Sequence, residues 1–204
     1  MTPRHYEMGR RQKAVEATRT KILEAARALI GGKGDLGKFS MEAVAERAGV
    51  ARMTVYYQFH SREALLDALS DHLAQRGGMH RMPEVFVQPD LERSLRKLVE
   101  VFTGFWASDR STLRRLRAMG VVTPSQDKGP RDRDAWRREA IENVLARYPR
   151  RGGGPKVGGP GGLGAVLTAL TSFETFDSLC SSGRSAEDAA ELIGDLALLA
   201  VRAR

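Results

Sequence analysis

The sequence predicts an all-α protein with a small N-terminal helix-turn-helix module and a larger C-terminal helical region. Three observations support this class. Apolar residues recur at helical spacing along most of the chain, and no segment shows the alternation of a strand. A turn containing Gly49 separates two short helical segments between Ser40 and Leu66. The positive charge is concentrated ahead of residue 62, as in a module that meets a polyanion.

The first module begins with a helix predicted over 15–31. Its apolar face follows the i, i+3, i+4, i+7 pattern, and Gly31 and Gly32 end it; the face is formed by Ile22, Ala25, Ala26 and Leu29. Residues 1–14 precede this helix and are expected to form a flexible basic arm. A helix-turn-helix domain is therefore predicted over 15–60, and a second helical domain over 61–204.

The two short helices that follow have the form of a helix-turn-helix. Ser40 is the expected N-cap of the first, and Gly49 supplies the positive φ that the turn needs. Five apolar residues would lock the two helices together, and Phe59 would anchor the end of the second; the five are Val44, Ala45, Ala48, Val50 and Val55.

The distribution of charge points to nucleic acid as the partner. Residues 1–62 contain 12 Lys/Arg against 6 Asp/Glu, a net charge of +6, whereas the remaining 142 residues contain 21 against 19, only +2. An evenly basic chain would not show this imbalance, so the N-terminal module is expected to bind a polyanion.

The residues left on the outer face and ends of the two helices suit docking in a major groove. The predicted DNA-binding residues are Ser40, Ala51, Arg52, Met53, Thr54, Tyr56, Tyr57, Gln58, His60 and Arg62. Arg52 could pair with guanine, and Met53 or Thr54 could meet a thymine methyl group. For Tyr56 and Tyr57 the alternative is that one ring, Tyr57 more than Tyr56, only covers the core of the module.

The stretch AVAERAGVARMTVYYQFHSREALL resembles the DNA-binding domain of the TetR family of bacterial transcriptional repressors. The resemblance covers about Thr18 to Leu69; the residues that fit are Ala48, Gly49, Val50, Thr54, Tyr56, Phe59, Ser61, Glu63 and Leu65. Ala51, Met53, Gln58 and His60 depart from the family pattern, so the operator cannot be deduced from relatives. The resemblance implies a second, all-helical domain that dimerises and binds a small molecule.

Helix starts and turns divide the second domain. Ser61 and Asp90 are N-cap candidates, residues 79–89 are a predicted linker, and further helices are predicted over 110–119 and 131–148. Residues 149–164 are of low complexity. The last two helices, about 163–181 and 185–203, are expected to pair with a second copy as a four-helix homodimer interface.

The middle helices carry large apolar side chains that could surround a small, largely hydrophobic inducer. The candidate ligand-binding residues are Phe102, Phe105, Trp106, Met119, Trp136, Phe173, Phe176 and Asp177. For each of them an ordinary core position is the alternative. Asp177 could pair with a cationic or hydroxylated ligand, or take part in a surface interaction.

Catalytic chemistry is not expected. Residues 159–164 satisfy the pattern GxGxxG, but no strand precedes them, and the four histidines lack metal-ligand spacing. A single Cys180 excludes an internal disulfide, and no apolar run reaches the roughly 20 residues of a membrane span. We therefore expect a cytoplasmic, ligand-responsive repressor without cofactor or metal. A ligand-independent architectural DNA-binding protein is the alternative.

Overall fold

A computed structural model of the protein describes residues 3–122, 128–148 and 162–202, and the regular elements in these ranges are all helical. The all-α fold class is confirmed. The helices are α1 (Pro3–Gly31), α2 (Met41–Ala48), α3 (Arg52–Phe59), α4 (Arg62–Arg76), α5 (Pro83–Phe86), α6 (Leu91–Ser108), α7 (Arg110–Val122), α8 (Lys128–Arg147), α9 (Leu163–Leu170), α10 (Phe173–Ser181) and α11 (Ala186–Arg202). No helix in the described ranges is both long and apolar enough to span a bilayer.

The chain forms two compact units. The first comprises Met1–His72 and Ser111–Gly129, and the second comprises Leu73–Arg110 and Pro130–Arg204. Helices α4, α7 and α8 each contribute residues to both units. The first unit thus contains the predicted DNA-binding segment together with most of α4, nearly all of α7 and the start of α8.

In the first unit, α1 packs against α2, and α2 packs against α3. The core consists of fully or nearly fully buried side chains from α1 to α4, namely Ile22, Ala26, Ile30, Val44, Ala45, Ala48, Val55, Phe59, Leu65 and Leu69. Helix α1 starts at Pro3, so it extends further toward the N terminus than the predicted 15–31. The segment expected to be a flexible arm is helical from Pro3 onward.

Local capping signals placed several helix starts correctly. The Ser40 hydroxyl accepts a hydrogen bond from the Ala43 amide (3.1 Å), and the Ser61 hydroxyl accepts one from the Ala64 amide (3.1 Å). Asp90 caps α6 through the Arg93 amide, at 2.8 Å. Such caps satisfy amide groups that the first helical turn leaves without partners.

In the second unit, α6 packs against α5, α10 and α11, and α9 packs against α11. Buried residues of α6, α8 and α11 form its aliphatic core, including Leu95, Leu98, Ile141, Val144, Ile193 and Leu198. The predicted linker over 79–89 contains a 3₁₀ turn, Met79–Arg81, and the short helix α5. The low-complexity stretch falls outside the described residues over 149–161.

The single helix predicted over 163–181 is wrong, because the chain breaks between α9 and α10. Ser172 caps α10 by accepting a hydrogen bond from the Thr175 amide (3.1 Å). The Trp106 indole donates to the Thr171 carbonyl (3.0 Å), and the Arg137 guanidinium donates to the Thr168 carbonyl. Side chains from α6 and α8 therefore satisfy carbonyl groups at the end of α9, where a helix leaves them without partners.

Candidate nucleic-acid interface

A left-handed glycine shapes the turn between α2 and α3. Gly49 has φ 60° and ψ 43°, and its amide donates to the Ala45 and Glu46 carbonyls. Val50 also donates to the Ala45 carbonyl (3.1 Å). These bonds close the C-terminus of α2 in a conformation that glycine adopts with little steric cost. Three residues, Gly49 to Ala51, separate the end of α2 from the start of α3.

Helix α3 is anchored by one face and exposed on the other. Val55 and Phe59, one helical turn apart, are buried. Met53 and Tyr57, also one turn apart, are 73% and 82% exposed. Met53, Thr54, Tyr56 and Tyr57 line an open depression of about 460 Å³. The helix therefore presents side chains to a partner while its opposite face holds it in place.

The alternative in which Tyr57 only covers the core is wrong. Its ring is 82% exposed, whereas Tyr56 is half-buried. The reason is periodicity, since Val55 and Phe59 define the inward face and the residue midway between them must point outward. A large exposed aromatic side chain contributes little to folding and much to a binding surface.

Arg52, the first residue of α3, forms an ion pair with Glu42 in the first turn of α2. Its Nη2 lies 2.6 Å from Glu42 Oε1 and 3.4 Å from the Tyr56 hydroxyl. The guanidinium carbon lies 5.3 Å from the centroid of the Tyr56 ring. The hydrogen bond to Tyr56 and the charge of Glu42 raise the pKa of Arg52 above its ordinary value. Glu42 is not among the DNA-binding residues predicted from the sequence, because no local pattern indicates a pair across a turn.

The segment after α3 is held in a strained turn. His60 has φ 62° and ψ −43°, and the Ser61 amide donates to the Phe59 carbonyl (2.6 Å). These values describe a γ-turn of the rare, strained form. Arg19 donates to the Gln58 carbonyl (3.2 Å) and lies over the Phe59 ring, 4.4 Å from its centroid. The end of α3 is thus fixed from α1.

All ten predicted DNA-binding residues lie within the first unit. Nine of them run from Ala51 at the start of α3 to Arg62 at the start of α4. Ser40 lies at the start of α2, where its hydroxyl is used in capping, so its helix can offer backbone amides to a phosphate. Arg62 is half-buried and lies over the Phe39 ring, 5.4 Å from its centroid. Ala51 is exposed and has no side-chain cap.

Four of the predicted ligand residues form one cluster of aromatic rings with Trp136 at its edge. Centroids are separated by 6.4 Å for Phe102 and Trp106, 4.6 Å for Phe105 and Trp106, and 5.6 Å for Trp106 and Phe173. Trp136 lies edge-on to Phe102 at 6.3 Å and is 44% exposed. The other four rings are buried and pack against one another.

The remaining ligand candidates are arranged differently. Phe176 is buried in the second unit, whereas Met119 belongs to the first unit. Asp177 is paired with Arg110: Nε lies 2.5 Å from Oδ1, and Nη2 donates to the Asp177 carbonyl (3.0 Å). A cationic ligand would therefore have to compete with Arg110 for this carboxylate.

The second unit also contains an open groove that the sequence did not reveal. It measures about 470 Å³, lies between α6 and α11, and contains none of the predicted ligand residues. Its lining consists largely of small side chains, including Thr103, Gly104, Ala107, Ala186, Ala190 and Gly194. The described residues contain no group of three or more His, Cys, Asp or Glu side chains arranged to hold a metal ion.

Helices α2 and α3 are joined by a glycine turn, and α3 has one buried face and one exposed face. This arrangement is that of a helix-turn-helix DNA-binding protein. Residues 22–69 match the family model described as bacterial regulatory proteins, tetR family. The chain is 27% identical to the HTH-type transcriptional regulator TtgR of Pseudomonas putida, over 92% of this chain and 90% of that protein. It is 30% identical to the HTH-type transcriptional regulator EthR of Mycolicibacterium smegmatis, over 51% of this chain and 45% of that protein. Residues 22–69 thus form a DNA-binding domain of the type found in tetR-family regulators, and over most of its length the chain is similar to an HTH-type transcriptional regulator.

Solved structures share the fold. A TetR-family regulator from Rhodococcus sp. superimposes with a TM-score of 0.67 at 23% identity, covering 92% of this chain and 98% of that one. The TetR-like regulator LfrR of Mycobacterium smegmatis, solved in complex with proflavine, superimposes with a TM-score of 0.53 at 20% identity. That match covers 89% of this chain and 94% of LfrR.

Proposed function

We propose that the protein is a repressor that binds a palindromic operator as a homodimer and is released by a small, largely hydrophobic inducer. The main support for DNA binding is that Met53 and Tyr57 are exposed on a helix whose opposite face is buried. A helix anchored in this way can enter a major groove without unfolding its own core.

The side chains of α3 suggest distinct tasks. Arg52 would donate two hydrogen bonds to guanine, and Met53 and the Thr54 methyl would contact thymine. Tyr57 joins this base-facing group because its ring is exposed on the side of Met53. Tyr56, His60 and Arg62 would hold phosphates, which fixes the register of the helix on the duplex.

An exposed apolar face supports dimerisation. Val166 on α9 and Leu196 and Leu199 on α11 are 36%, 39% and 59% exposed, and α9 packs against α11. Leu196 and Leu199 are three residues apart and so share one face of α11, and exposed aliphatic faces typically mark protein interfaces. Two copies joined through this face would have two-fold symmetry, which an operator with inverted half-sites requires.

The inducer would bind at the aromatic cluster of α6, α8 and α10. LfrR, a structural neighbour, has been solved with the planar aromatic compound proflavine, which supports a similar class of ligand here. Because the rings pack closely, an inducer would have to select a conformation in which some of them have moved. Release would follow if that conformation binds the operator less well.

Selection of the purified protein against random duplex DNA at near-physiological salt tests this function. We expect an enriched inverted repeat, which would support a dimer that reads two half-sites. Weak, salt-sensitive binding without enrichment would contradict sequence reading by α3.

A ligand-independent architectural DNA-binding protein is the second candidate. The tight packing of Phe102, Phe105, Trp106 and Phe173 favours it, because closely packed rings are typical of a hydrophobic core with no ligand. A thermal-shift screen with small aromatic compounds separates the two candidates. A dose-dependent rise in melting temperature, together with release of the selected DNA, supports the repressor.

A further inference from the structure

The ion pair between Glu42 and Arg52 connects the two helices of the reading module. Glu42 lies in the first turn of α2, Arg52 is the first residue of α3, and their side chains meet at 2.6 Å. Tyr56 also contacts the guanidinium, through its ring and through its hydroxyl, which accepts from the same Nη2. The arginine expected to read a base is thus held in place before DNA arrives.

The pair contributes little to folding. The two side chains are 61% and 48% exposed for Arg52 and Glu42, and such surface pairs are typically weak and screened by salt. The positive end of the α3 helix dipole also disfavours a cation at its first residue. The helix dipole favours an acidic residue in the first turn of α2, but it does not account for the contact of Glu42 with the first residue of α3.

Three consequences follow for Arg52. A contact through Nη2 alone leaves other N–H groups of the guanidinium to donate to a base. The carboxylate and the Tyr56 ring also restrict a long side chain that would otherwise lose conformational entropy on binding. In addition, the negative charge of Glu42 opposes the attraction of Arg52 to phosphate at any sequence.

We propose that Glu42 is a positioning residue for sequence reading, which orients Arg52 toward a base edge and weakens its binding to non-cognate DNA. This inference rests on the proposed function of α3 as the reading helix. Glu42 would affect the discrimination between DNA sequences through Arg52, without contacting the DNA itself.

Glu42→Gln tests the proposal, because it removes the charge and keeps the size of the side chain. Glu46→Gln is the matched control, since it makes the same charge change one turn further along α2 and Glu46 is also exposed. For each variant, dissociation constants are measured for a duplex enriched from random DNA and for a scrambled duplex of the same composition. The readout is the ratio of the two constants, which a uniform change in net charge does not alter.

For Glu42→Gln we expect the preference for the enriched duplex to fall by roughly three- to tenfold, mainly through tighter binding of the scrambled duplex. Glu46→Gln should tighten binding to both duplexes alike. In an Arg52→Ala background, Glu42→Gln should leave the preference unchanged, because there is no arginine left to position. The lost preference should map to one base pair in each half-site.

An unchanged preference in Glu42→Gln would overturn the proposal, as would an equal loss in Glu46→Gln or a loss that persists without Arg52. These results differ from a failure of the proposed function. In that case the unaltered protein would bind the enriched and scrambled duplexes equally.

Discussion

Replacing Trp106 by phenylalanine should destabilise the second unit by about 2–4 kcal/mol. The Trp106 side chain is 4% exposed, and its indole N–H donates to the Thr171 carbonyl at 3.0 Å. Phenylalanine lacks the donor, so the buried carbonyl loses this partner at a cost of about 1–3 kcal/mol. The smaller ring adds a packing defect against Phe105 and Phe173, whose ring centroids lie 4.6 and 5.6 Å away.

The assay is urea denaturation followed by far-ultraviolet circular dichroism, at a fixed protein concentration so that any dimerisation contributes equally. Trp136→Phe is the control: its ring is 44% exposed, and we expect a loss below about 1 kcal/mol. Equal losses in the two variants would refute the assigned role of the Trp106 hydrogen bond. A stable Trp106→Phe protein would show that the break after α9 does not depend on this donor.

Three further outcomes follow from exposure and backbone geometry. Tyr57→Ala should weaken binding to a selected operator by about 1–3 kcal/mol with an unchanged melting temperature, and unaltered affinity in a gel-shift titration would exclude the ring from the interface. His60→Gly should raise the free energy of unfolding by about 1 kcal/mol because glycine tolerates φ 62°; a lower urea midpoint would contradict strain at this turn. Leu199→Glu should convert a dimer to monomers in sedimentation velocity, whereas Val87→Glu, also at an exposed position, should not, and a persistent Leu199→Glu dimer would place the interface elsewhere.

Features encoded by neighbouring residues were predictable from the sequence. The caps at Ser40, Ser61 and Asp90 each depend on a side chain and an amide three residues away. The turn at Gly49 is likewise a local requirement, and its positive φ is confirmed. The outward direction of Tyr57 was also within reach, since Val55 and Phe59 alone define the buried face of α3.

Features that depend on distant parts of the chain were not predictable in this way. The partner of Asp177 is Arg110, 67 residues away, and the partner of Arg52 lies across a turn. The end of α9 was missed for the same reason, because Trp106 donates to the Thr171 carbonyl from 65 residues away. A sequence window shows residue types and spacing, but it does not show which side chains the fold brings within hydrogen-bonding distance.

The break between α9 and α10 gives two different roles to a segment that was predicted from the sequence to be one helix. Before the break, Val166 is exposed on the face proposed for dimerisation; after it, Phe173 and Phe176 are buried. In one uninterrupted helix, the direction of Val166 would fix the directions of Phe173 and Phe176, because all three would turn together about the helix axis. Because of the break, the exposed surface of α9 and the buried residues of α10 can vary separately. Substitutions during evolution could therefore change the dimer interface without changing the aromatic core.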